Sequence, residues 1–414
     1  MVLVNKVQSR TNEGAKTGDR PVPQAPPVPQ APPVPLLIAS DIFRVSRHAS
    51  GHPLAIPRVS LTIDLCRALG WLDPGRYREA REATAAELCR YHQADYVDAV
   101  RRAETLQYLP EEERRRFNLG VNGNPIYREV FRRPATACGA SIEAARLVAG
   151  GGIVYNPAGG THHGQPGRAS GYCIFNDPVL AILELLAAGL GRIVYLDLDA
   201  HFGDGVQQAF HGDDRVFTLS VHEAGRWPMA RADAGEGTGD AAFGGVRDRA
   251  GGAARNLPVP AGLCDAELDF LMAEAILPLI GRQAPEAIVV QCGADALADD
   301  PMTKLALTNR ALWRAVARVV PLAPRLLVLG GGGYNPWSVG RCWAGIWATL
   351  NGFEIPERLP PDAEAIMRSV RWHHRLGRAP ATRWLTTMAD PLPEAAANAV
   401  RAEVRELAAL AVAP

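Results

Sequence analysis

Acidic residues and a histidine close one apolar segment of the chain. The D-x-D-x-H segment from Asp197 to His201 follows a strand-like run that begins at Arg192. Alternate side chains of a strand share one face, so Asp197, Asp199 and His201 can point to the same side. Three polar groups on a buried strand are costly unless a cation or hydrogen bonds satisfy them. The segment therefore indicates a functional site.

A further acid, Asp295, follows the apolar run 287–292. Together, Asp199, His201 and Asp295 offer two carboxylates and one imidazole, with a position left open for water. This set is typical of a catalytic divalent metal, whereas structural zinc more often uses thiolates and closes its site. The sequence predicts a catalytic metal site.

Two histidines in tandem, His162 and His163, stand in the Gly-rich loop 159–164. A lone histidine is usually structural, but a pair in such a loop fits acid–base work better. Asp197 and Asp204 are spare carboxylates beside the metal ligands, and each can orient one imidazole by a hydrogen bond. We therefore expect an acid–base pair beside the metal.

Tyr334 ends a run of four glycines, residues 330–333. Glycines allow the backbone to approach a site closely. The run lacks the G-K-[ST] ending of a phosphate loop, so nucleotide binding is not indicated. A tyrosine hydroxyl held there can donate to a developing oxyanion opposite the metal.

Short apolar strands alternate with amphipathic helices from Leu36 onward, which predicts a parallel sheet covered by helices on both faces. Active sites of such sheets lie at the carboxyl ends of the strands. The four segments described above follow predicted strands: residues 159–164, 197–201, 293–295 and 330–334. The predicted strands are Leu36–Ala39, Ile153–Tyr155, Arg192–Asp197, Val216–Val221, Ala287–Cys292 and Leu326–Leu329. The predicted helices are Ser60–Gly70, Ala135–Ala149, Asp177–Ala188, Asp265–Ile280, Thr308–Val319 and Val339–Leu350.

Composition divides the chain into three parts. Residues 1–35 form a predicted disordered tail that ends in a repeat of VPQAPP, which favours polyproline II and a linker role over docking to a proline-reading domain. Residues 36–352 form the predicted α/β domain. Residues 353–414 form a predicted extension, whose last helix, Pro393–Val412, should pack on that domain.

Charge and cysteine usage narrow the class of protein. Lys plus Arg (44) equal Asp plus Glu (44) in the 414 residues, which gives no reason to expect a nucleic-acid partner. Neither a signal peptide nor a membrane span is indicated. The seven cysteines are scattered without C-x-x-C spacing, which favours a reducing cytoplasm.

Taken in this order, the four segments resemble the histone deacetylase superfamily, which includes acetylpolyamine amidohydrolases and acetoin-utilisation proteins. The resemblance spans roughly residues 36–350 and implies a single domain of the arginase-like α/β fold. Supporting segments are Ser40-Asp41, Gly51-His52-Pro53, Pro57-Arg58, Ala83–Val97, Gly171–Asp177, Gly203–Val206, Asp295–Leu297 and Asp300-Pro301.

The resemblance implies zinc on Asp199, His201 and Asp295. It implies that His163 is the general base and acid, that His162 is its electrostatic partner, and that Tyr334 polarises the scissile carbonyl. Asp197 and Asp204 would orient the two imidazoles.

The implied reaction is hydrolysis of an amide that joins an acetyl or other acyl group to a lysine side chain or a small amine. Gly171 and Tyr172 would line the acyl-lysine channel, and Arg58 the inner cavity that receives the released acid. A structural monovalent cation such as K⁺ would sit on Asp197, Asp199, His201, Ser220 and Val221, largely through backbone oxygens.

Two positions depart from the family pattern. Gly123 stands where this branch usually carries an acid that grips a peptide backbone, so peptide recognition of that kind is not implied. Arg226-Trp227-Pro228 replaces a Gly-rich turn, which makes Trp227 a candidate channel wall.

Two other functions remain open. An arginase-like ureohydrolase with two metal ions would need an Asp two residues after His201, where Gly203 stands. A non-catalytic metal-binding or interaction module of the same fold is the other alternative. Neither the physiological substrate nor a homo-oligomeric state follows from the sequence.

Overall fold

The computed structural model describes residues 34–229, 243–392 and 399–413. Eight strands form one sheet: β1 (Leu36–Ala39), β2 (Tyr77–Glu79), β3 (Gly152–Asn156), β4 (Ile193–Asp197), β5 (Val216–Glu223), β6 (Ala254–Val259), β7 (Ala287–Gln291) and β8 (Arg325–Leu329). Their order is β2-β1-β3-β8-β7-β4-β5-β6, and every pair is parallel. The predicted parallel α/β sheet is confirmed.

Helices connect the strands and cover them. They are α1 (Ile42–Val45), α2 (Arg58–Ala68), α3 (Ala85–Leu88), α4 (Ala94–Leu106), α5 (Glu111–Phe117), α6 (Arg132–Ala149), α7 (Asp177–Ala187), α8 (Asp204–Ala209), α9 (Asp265–Leu271), α10 (Leu277–Gln283), α11 (Asn309–Val319), α12 (Pro336–Asn351), α13 (Pro361–Ser369), α14 (Thr382–Thr386) and α15 (Ala402–Val412). None of the helices within the described ranges is long and apolar enough to cross a bilayer.

The six predicted strands and the six predicted helices of the α/β domain are present, with ends that differ by up to three residues. The long helix predicted at Asp265–Ile280 is helical from α9 to α10, with one π-helical turn at Met272–Ile276. The last predicted helix begins later than expected, at Ala402, and residues 393–398 lie outside the described residues. The Pro-rich tail also lies outside them, apart from residues 34–35.

Two strands escaped the sequence patterns. The edge strand β2 has three residues, of which Arg78 and Glu79 are exposed, so it offers no apolar run. Strand β6 reads ARNLPV, and its proline obscures the strand pattern because proline lacks the N–H that a ladder needs.

Each face of the sheet buries alternate residues of the same strand. In β4, Val194 and Leu196 belong to the core on one face, together with α12, whereas Ile193 and Tyr195 belong to the core on the other, together with α6 and α7. Because both faces are buried, the strands read as continuous apolar runs.

Helix α12 is almost wholly buried and carries three tryptophans. Their indole N–H groups donate to the backbone carbonyls of Met367, Cys292 and Trp71 at 2.9 Å. Buried tryptophans need such partners, so these bonds fix α12 against α13, the end of β7 and the segment after α2. Helix α12 begins directly after Tyr334 and Asn335, and it therefore anchors the loop that carries them.

A fully buried ion pair links α12 to residues 353–392. The Arg341 Nη1 donates to Asp390 Oδ1 at 2.6 Å, and the side chain of Arg341 is 0% exposed. Asp390 also accepts the backbone N–H of Asn309 at 3.0 Å. The Nε and Nη2 atoms of Arg341 find no partner among the described residues, so its charge depends on Asp390.

We expect Asp390→Ala to lower the free energy of unfolding by about 3–5 kcal/mol, because it leaves a buried guanidinium without a counter-charge. Glu364→Ala is the matched control: its ion pair with Arg368 is solvent-exposed, so the loss should stay below about 1 kcal/mol. Urea unfolding of both variants measures the difference, and equal losses would contradict the assignment.

Candidate active site

Four loops meet at the carboxyl edge of the sheet. They follow β3, β4, β7 and β8, which are adjacent in the sheet through the pairs β3–β8, β8–β7 and β7–β4. The register places Asp197 beside Gln291, and Gln291 beside Leu329. The ends of these strands are therefore level, and the side chains that follow them converge.

Asp199, His201 and Asp295 come together as predicted. One ligand atom from each residue lies within 4.8 Å of the other two. The Nδ1 of His201 lies 2.9 Å from Asp295 Oδ2 and 3.2 Å from Asp199 Oδ1. Within the described ranges, this is the only group of three histidine, cysteine, aspartate or glutamate side chains with metal-ligand spacing.

Backbone N–H groups hold both carboxylates in place. Asp199 Oδ2 accepts the N–H of Gly332 at 2.6 Å, and Asp295 Oδ1 accepts that of Ala200 at 3.1 Å. A Cβ on Gly332 would lie 2.1 Å from Asp295 Oδ2, and one on Gly293 would lie 2.3 Å from Asp199 Oδ2. Glycine is therefore required at both positions.

The charge of this cluster fits a bound cation. Asp199 and Asp295 are 1% and 0% exposed. Burial, followed by the charge of Asp199, raises the pKa of Asp295. Burial opposes protonation of His201, but its hydrogen bonds to Asp199 and Asp295 outweigh that effect and raise its pKa to about 10. Two buried carboxylates that converge on one imidazole leave a net negative charge, which favours a bound cation. Their oxygen and nitrogen atoms are ligands that zinc accepts.

Each tandem histidine pairs with one aspartate. His162 Nδ1 lies 2.7 Å from Asp197 Oδ2, and His163 Nδ1 lies 2.6 Å from Asp204 Oδ1. Gln165 holds the far oxygen of Asp204 at 3.1 Å. Both imidazoles thus have Nδ1 fixed. The Nε2 of His162 lies 3.8 Å from Asp199 Oδ1, whereas the Nε2 of His163 has no hydrogen-bond partner within the described ranges.

The two imidazoles differ in charge. Burial disfavours the charged form of His162, but Asp197 and Asp199 outweigh it and raise its pKa to about 9. Burial and the neighbouring charge of His162 lower the pKa of His163 to about 4. At neutral pH, therefore, His163 is uncharged beside a charged His162, an arrangement that separates a base from an electrostatic partner.

Tyr334 lies over the same cluster and is buried. Its backbone N–H donates to Asp300 Oδ2 at 2.6 Å, and the Asp300 Oδ1 accepts the N–H of Met302 at 2.9 Å. Burial raises the pKa of the Tyr334 phenol well above its usual value, so the hydroxyl keeps its proton. Asp300 was part of a motif in the sequence, but its support of this loop was not predicted.

An open pocket of about 1200 Å³ leads to the cluster. His163, His201 and Tyr334 line its inner end, and Tyr172 and Trp227 line its walls. The Trp227 ring lies 4.8 Å from that of His163, edge to face. A Cβ on Gly171 would lie 2.5 Å from Trp227 and 2.6 Å from His163, so a glycine here lets both rings approach the entrance.

Behind the cluster lies a cavity of about 40 Å³ lined by Arg58, His162, Cys173 and Tyr334 among others. The Arg58 Nη1 donates to the Gly331 carbonyl at 2.6 Å, and its guanidinium lies 5.3 Å from the centre of the Trp343 ring. Arg58 thus takes the inner position that the sequence predicted, while its role there stays a prediction.

The residues assigned to a monovalent cation also lie close together. Ser220 pairs with Asp197 in the β4–β5 register, and Val221 follows it in β5. The Ser220 hydroxyl and His222 Nδ1 lie 2.8 Å apart. Binding of K⁺ at these residues stays a prediction.

The loop at Gly123 has no carboxylate at the predicted position. Gly123 has φ +78°, and a Cβ there would lie 2.6 Å from the Tyr172 ring. The His52 Nε2 lies 3.0 Å from the Gly123 carbonyl, and Asn124 Oδ1 accepts the Tyr172 N–H at 2.9 Å. This loop therefore positions Tyr172 rather than presenting a charge.

Several supporting residues were given no role by the sequence, although Asp177 and His92 lie in segments that carry the family resemblance. Asp177 is buried and accepts the N–H groups of Gly160 and Thr161, which shapes the loop before His162. Tyr195 donates its hydroxyl to Asp197 at 2.8 Å. His92 lies 3.0 Å from the Gln165 carbonyl through Nδ1 and accepts the N–H of Asn176 at Nε2 at 3.0 Å. These partners become visible only in the folded structure.

The parallel α/β fold and the possible metal site at Asp199, His201 and Asp295 are of the deacetylase type, and comparison with known proteins agrees. The model of the histone deacetylase domain matches residues 52–350. The chain is 35% identical over 322 residues to histone deacetylase 1 of Oryza sativa subsp. japonica, which covers 76% of this chain and 59% of that protein. The chain belongs to the histone deacetylase family.

Other relatives show how much of each protein is shared. The acetoin utilization protein AcuC of Bacillus subtilis is 33% identical over 324 residues, or 75% of this chain and 80% of AcuC. The crystal structure of a histone deacetylase (HDAC) homolog from Aquifex aeolicus has a TM-score of 0.83 at 33% identity and covers 92% of this chain and all of that one. This structural match confirms the predicted fold. The match to the rice relative spans about 59% of the length of that protein.

We expect Asp295→Ala to weaken zinc binding more than about 100-fold, which exceeds the 10–100-fold loss typical of a residue that only orients a ligand. Asp204→Asn is the control, because Asp204 touches His163 and not the ligand cluster, so zinc affinity should be kept. Competition with a chromogenic chelator measures both. Equal affinity in Asp295→Ala and wild type would contradict the ligand assignment.

We also expect His92 to make stability depend on pH. Burial lowers its pKa to about 4, below the unfolded value of about 6.5. The unfolded chain then binds the proton more readily, so the stabilisation present above pH 6.5 is lost as the pH falls towards 4.

The gap in unfolding free energy between wild type and His92→Gln should narrow by on the order of 3 kcal/mol from pH 7 to pH 4. His211→Gln, at an exposed position, is the control and should keep the wild-type pH profile. Denaturant unfolding across this pH range measures both. A constant gap would show that His92 is not the titrating group.

Proposed function

We propose that this protein is a zinc-dependent amidohydrolase that removes acetyl or other acyl groups from acylated lysine side chains or small acylated amines. The observation that carries the proposal is the buried Asp199–His201–Asp295 group beside two histidine–aspartate pairs and Tyr334. A structure in the same family, an HDAC homolog complexed with SAHA, matches with a TM-score of 0.83 at 34% identity. The scattered cysteines, none of them in a C-x-x-C pair, support a reducing cytoplasm as the compartment.

Asp199, His201 and Asp295 would hold the zinc. Bound zinc supplies Lewis-acid chemistry, which polarises an acyl oxygen and makes water more acidic. The protein's own residues then do the proton work. His163 is neutral and its Nε2 is unengaged, so it accepts a proton from the attacking water and later returns one to the leaving amine.

Asp204 keeps the His163 ring in one orientation, and Asp197 does the same for His162. The charged His162 favours negative charge that develops on the acyl group nearby. The Tyr334 hydroxyl stays protonated because burial raises its pKa, and it donates a hydrogen bond to the oxyanion. Tyr172 and Trp227 exclude water from the alkyl part of the substrate.

The ureohydrolase alternative is disfavoured by the space at Gly203. A Cβ at this position would lie 2.4 Å from Asp197 Oδ2, so the site has no room for the additional aspartate of a two-metal centre. The non-catalytic alternative gives no reason for both histidines, both of their aspartates and Tyr334 to face the cluster. Neither alternative accounts for the neutral His163.

We expect His163→Ala to lower kcat/KM by about 10²–10⁴-fold through loss of the acid–base group. Tyr334→Phe should lower kcat by about 10²–10³-fold, because it removes one oxyanion donor. Release of acetate from acetyl-lysine peptides and small acetylated amines by zinc-loaded protein is the measurement.

His211→Ala and Tyr108→Phe are the matched controls, because both side chains are exposed and neither lines the pocket that contains His163 and Tyr334. They should keep wild-type rates. Turnover that persists in His163→Ala, or a zinc-loaded wild type that hydrolyses no acyl amine, would refute the proposal.

A further inference from the structure

The charged residues at the pocket entrance are mostly basic. Arg168, Arg226 and Lys304 line the 1200 Å³ pocket, together with the acids Glu223 and Asp204. The asparagines Asn118 and Asn122 add no charge. The charge that the entrance presents to a substrate therefore depends on which of these groups already have a partner.

Both carboxylates are already engaged. Glu223 accepts two hydrogen bonds from Arg226, at 2.6 and 2.7 Å, and the backbone N–H of Lys304 at 2.8 Å. Asp204 accepts from His163 and Gln165, one on each oxygen. Neither acid is left to attract a cationic substrate or to grip a substrate N–H.

Two cations, in contrast, are left over. Arg168 is exposed, and its guanidinium forms no hydrogen bond or ion pair with any residue in the described ranges. The exposed ammonium of Lys304 likewise forms none within the same ranges, although it lies close enough to Glu223 to favour the ionised carboxylate. The Gly123 loop supplies no compensating acid, because Gly123 has no side chain and its neighbours Asn122 and Asn124 are uncharged.

We propose that this entrance selects acylated amines that carry a free carboxylate, such as an ω-N-acylated amino acid, over neutral and cationic acyl amines. The inference rests on the proposed amide hydrolysis, since the same pocket reaches His163, His201 and Tyr334. The acyl nitrogen lies at the inner end, and the carboxylate meets Arg168 and Lys304 at the entrance. A small substrate suits a rim whose carboxylates are both engaged and so cannot grip peptide N–H groups.

Three substrates of nearly equal shape test the charge preference: 6-acetamidohexanoate, its carboxamide, and N-acetyl-1,6-diaminohexane. We expect the kcat/KM of the zinc-loaded wild type to be about 5- to 20-fold higher for the carboxylate than for the carboxamide, as two partly exposed ion pairs allow. The difference should lie mainly in KM and shrink in 0.5 M salt, because salt screens exposed charges. The cationic amine should be the poorest substrate.

The double variant Arg168→Glu/Lys304→Glu should reverse this order of kcat/KM values, because it replaces both cations with carboxylates. Arg78→Glu is the matched control: Arg78 is an exposed arginine on the edge strand β2, away from the pocket, and the wild-type order should persist. Equal kcat/KM values for the three substrates in the wild type, or a carboxylate preference that survives in the double variant, would overturn the proposal.

Binding separates this proposal from the chemistry. Zinc-loaded His163→Ala should bind 6-acetamidohexanoate about 5- to 20-fold more tightly than the carboxamide, even where turnover is absent. Equal binding of the two compounds would overturn the carboxylate preference. If the variant keeps the binding preference but the zinc-loaded wild type turns over none of the substrates, only the amide hydrolysis is refuted. A kcat/KM for an acetyl-lysine peptide with acidic neighbours above that for 6-acetamidohexanoate would overturn the assignment to small substrates.

Discussion

Two buried carboxylates that converge on one imidazole are the constraint on which the rest of the site depends. Asp199 and Asp295 have almost no contact with solvent, yet both approach His201 Nδ1 to about 3 Å. Buried like charges are unfavourable unless a cation or a set of donors compensates them. Backbone N–H groups and His201 compensate part of the negative charge of the two carboxylates. A bound metal ion would compensate the rest.

The loops around the cluster are shaped by the same requirement. Gly293 and Gly332 let backbone pass within van der Waals distance of the two carboxylates, where any side chain would clash. Helix α12 then fixes the loop that ends in Tyr334, and Asp300 holds the backbone of Tyr334 itself. The charges of Asp197 and Asp199 raise the pKa of His162, whereas burial together with the charge of His162 lowers the pKa of His163. Asp197 and Asp199 thus contribute to the difference in pKa between the two imidazoles.

The sequence predicted the parts that depend on local pattern. Apolar runs that end in acids or glycines, as at Asp197 and Gly330, place a strand and a functional loop at once, because parallel sheets gather such ends at one edge. The short strand β2 and the proline-containing β6 lack this pattern, and only pairing with β1 and β5 makes them strands. Asp177 and His92 lie in segments that carry the family resemblance, but their contacts were not predicted because their partners are distant in sequence. The free cations at Arg168 and Lys304 emerge only once the partners of Glu223 and Asp204 are known.

The most direct test of the account is a zinc titration of the metal-free protein, with acetate release from a neutral acylated amine as the signal. We predict no acetate release by the metal-free protein, and a rate that rises linearly with added zinc to a maximum at one zinc per chain. Full activity in the metal-free protein, or no activity at any zinc ratio, would contradict it.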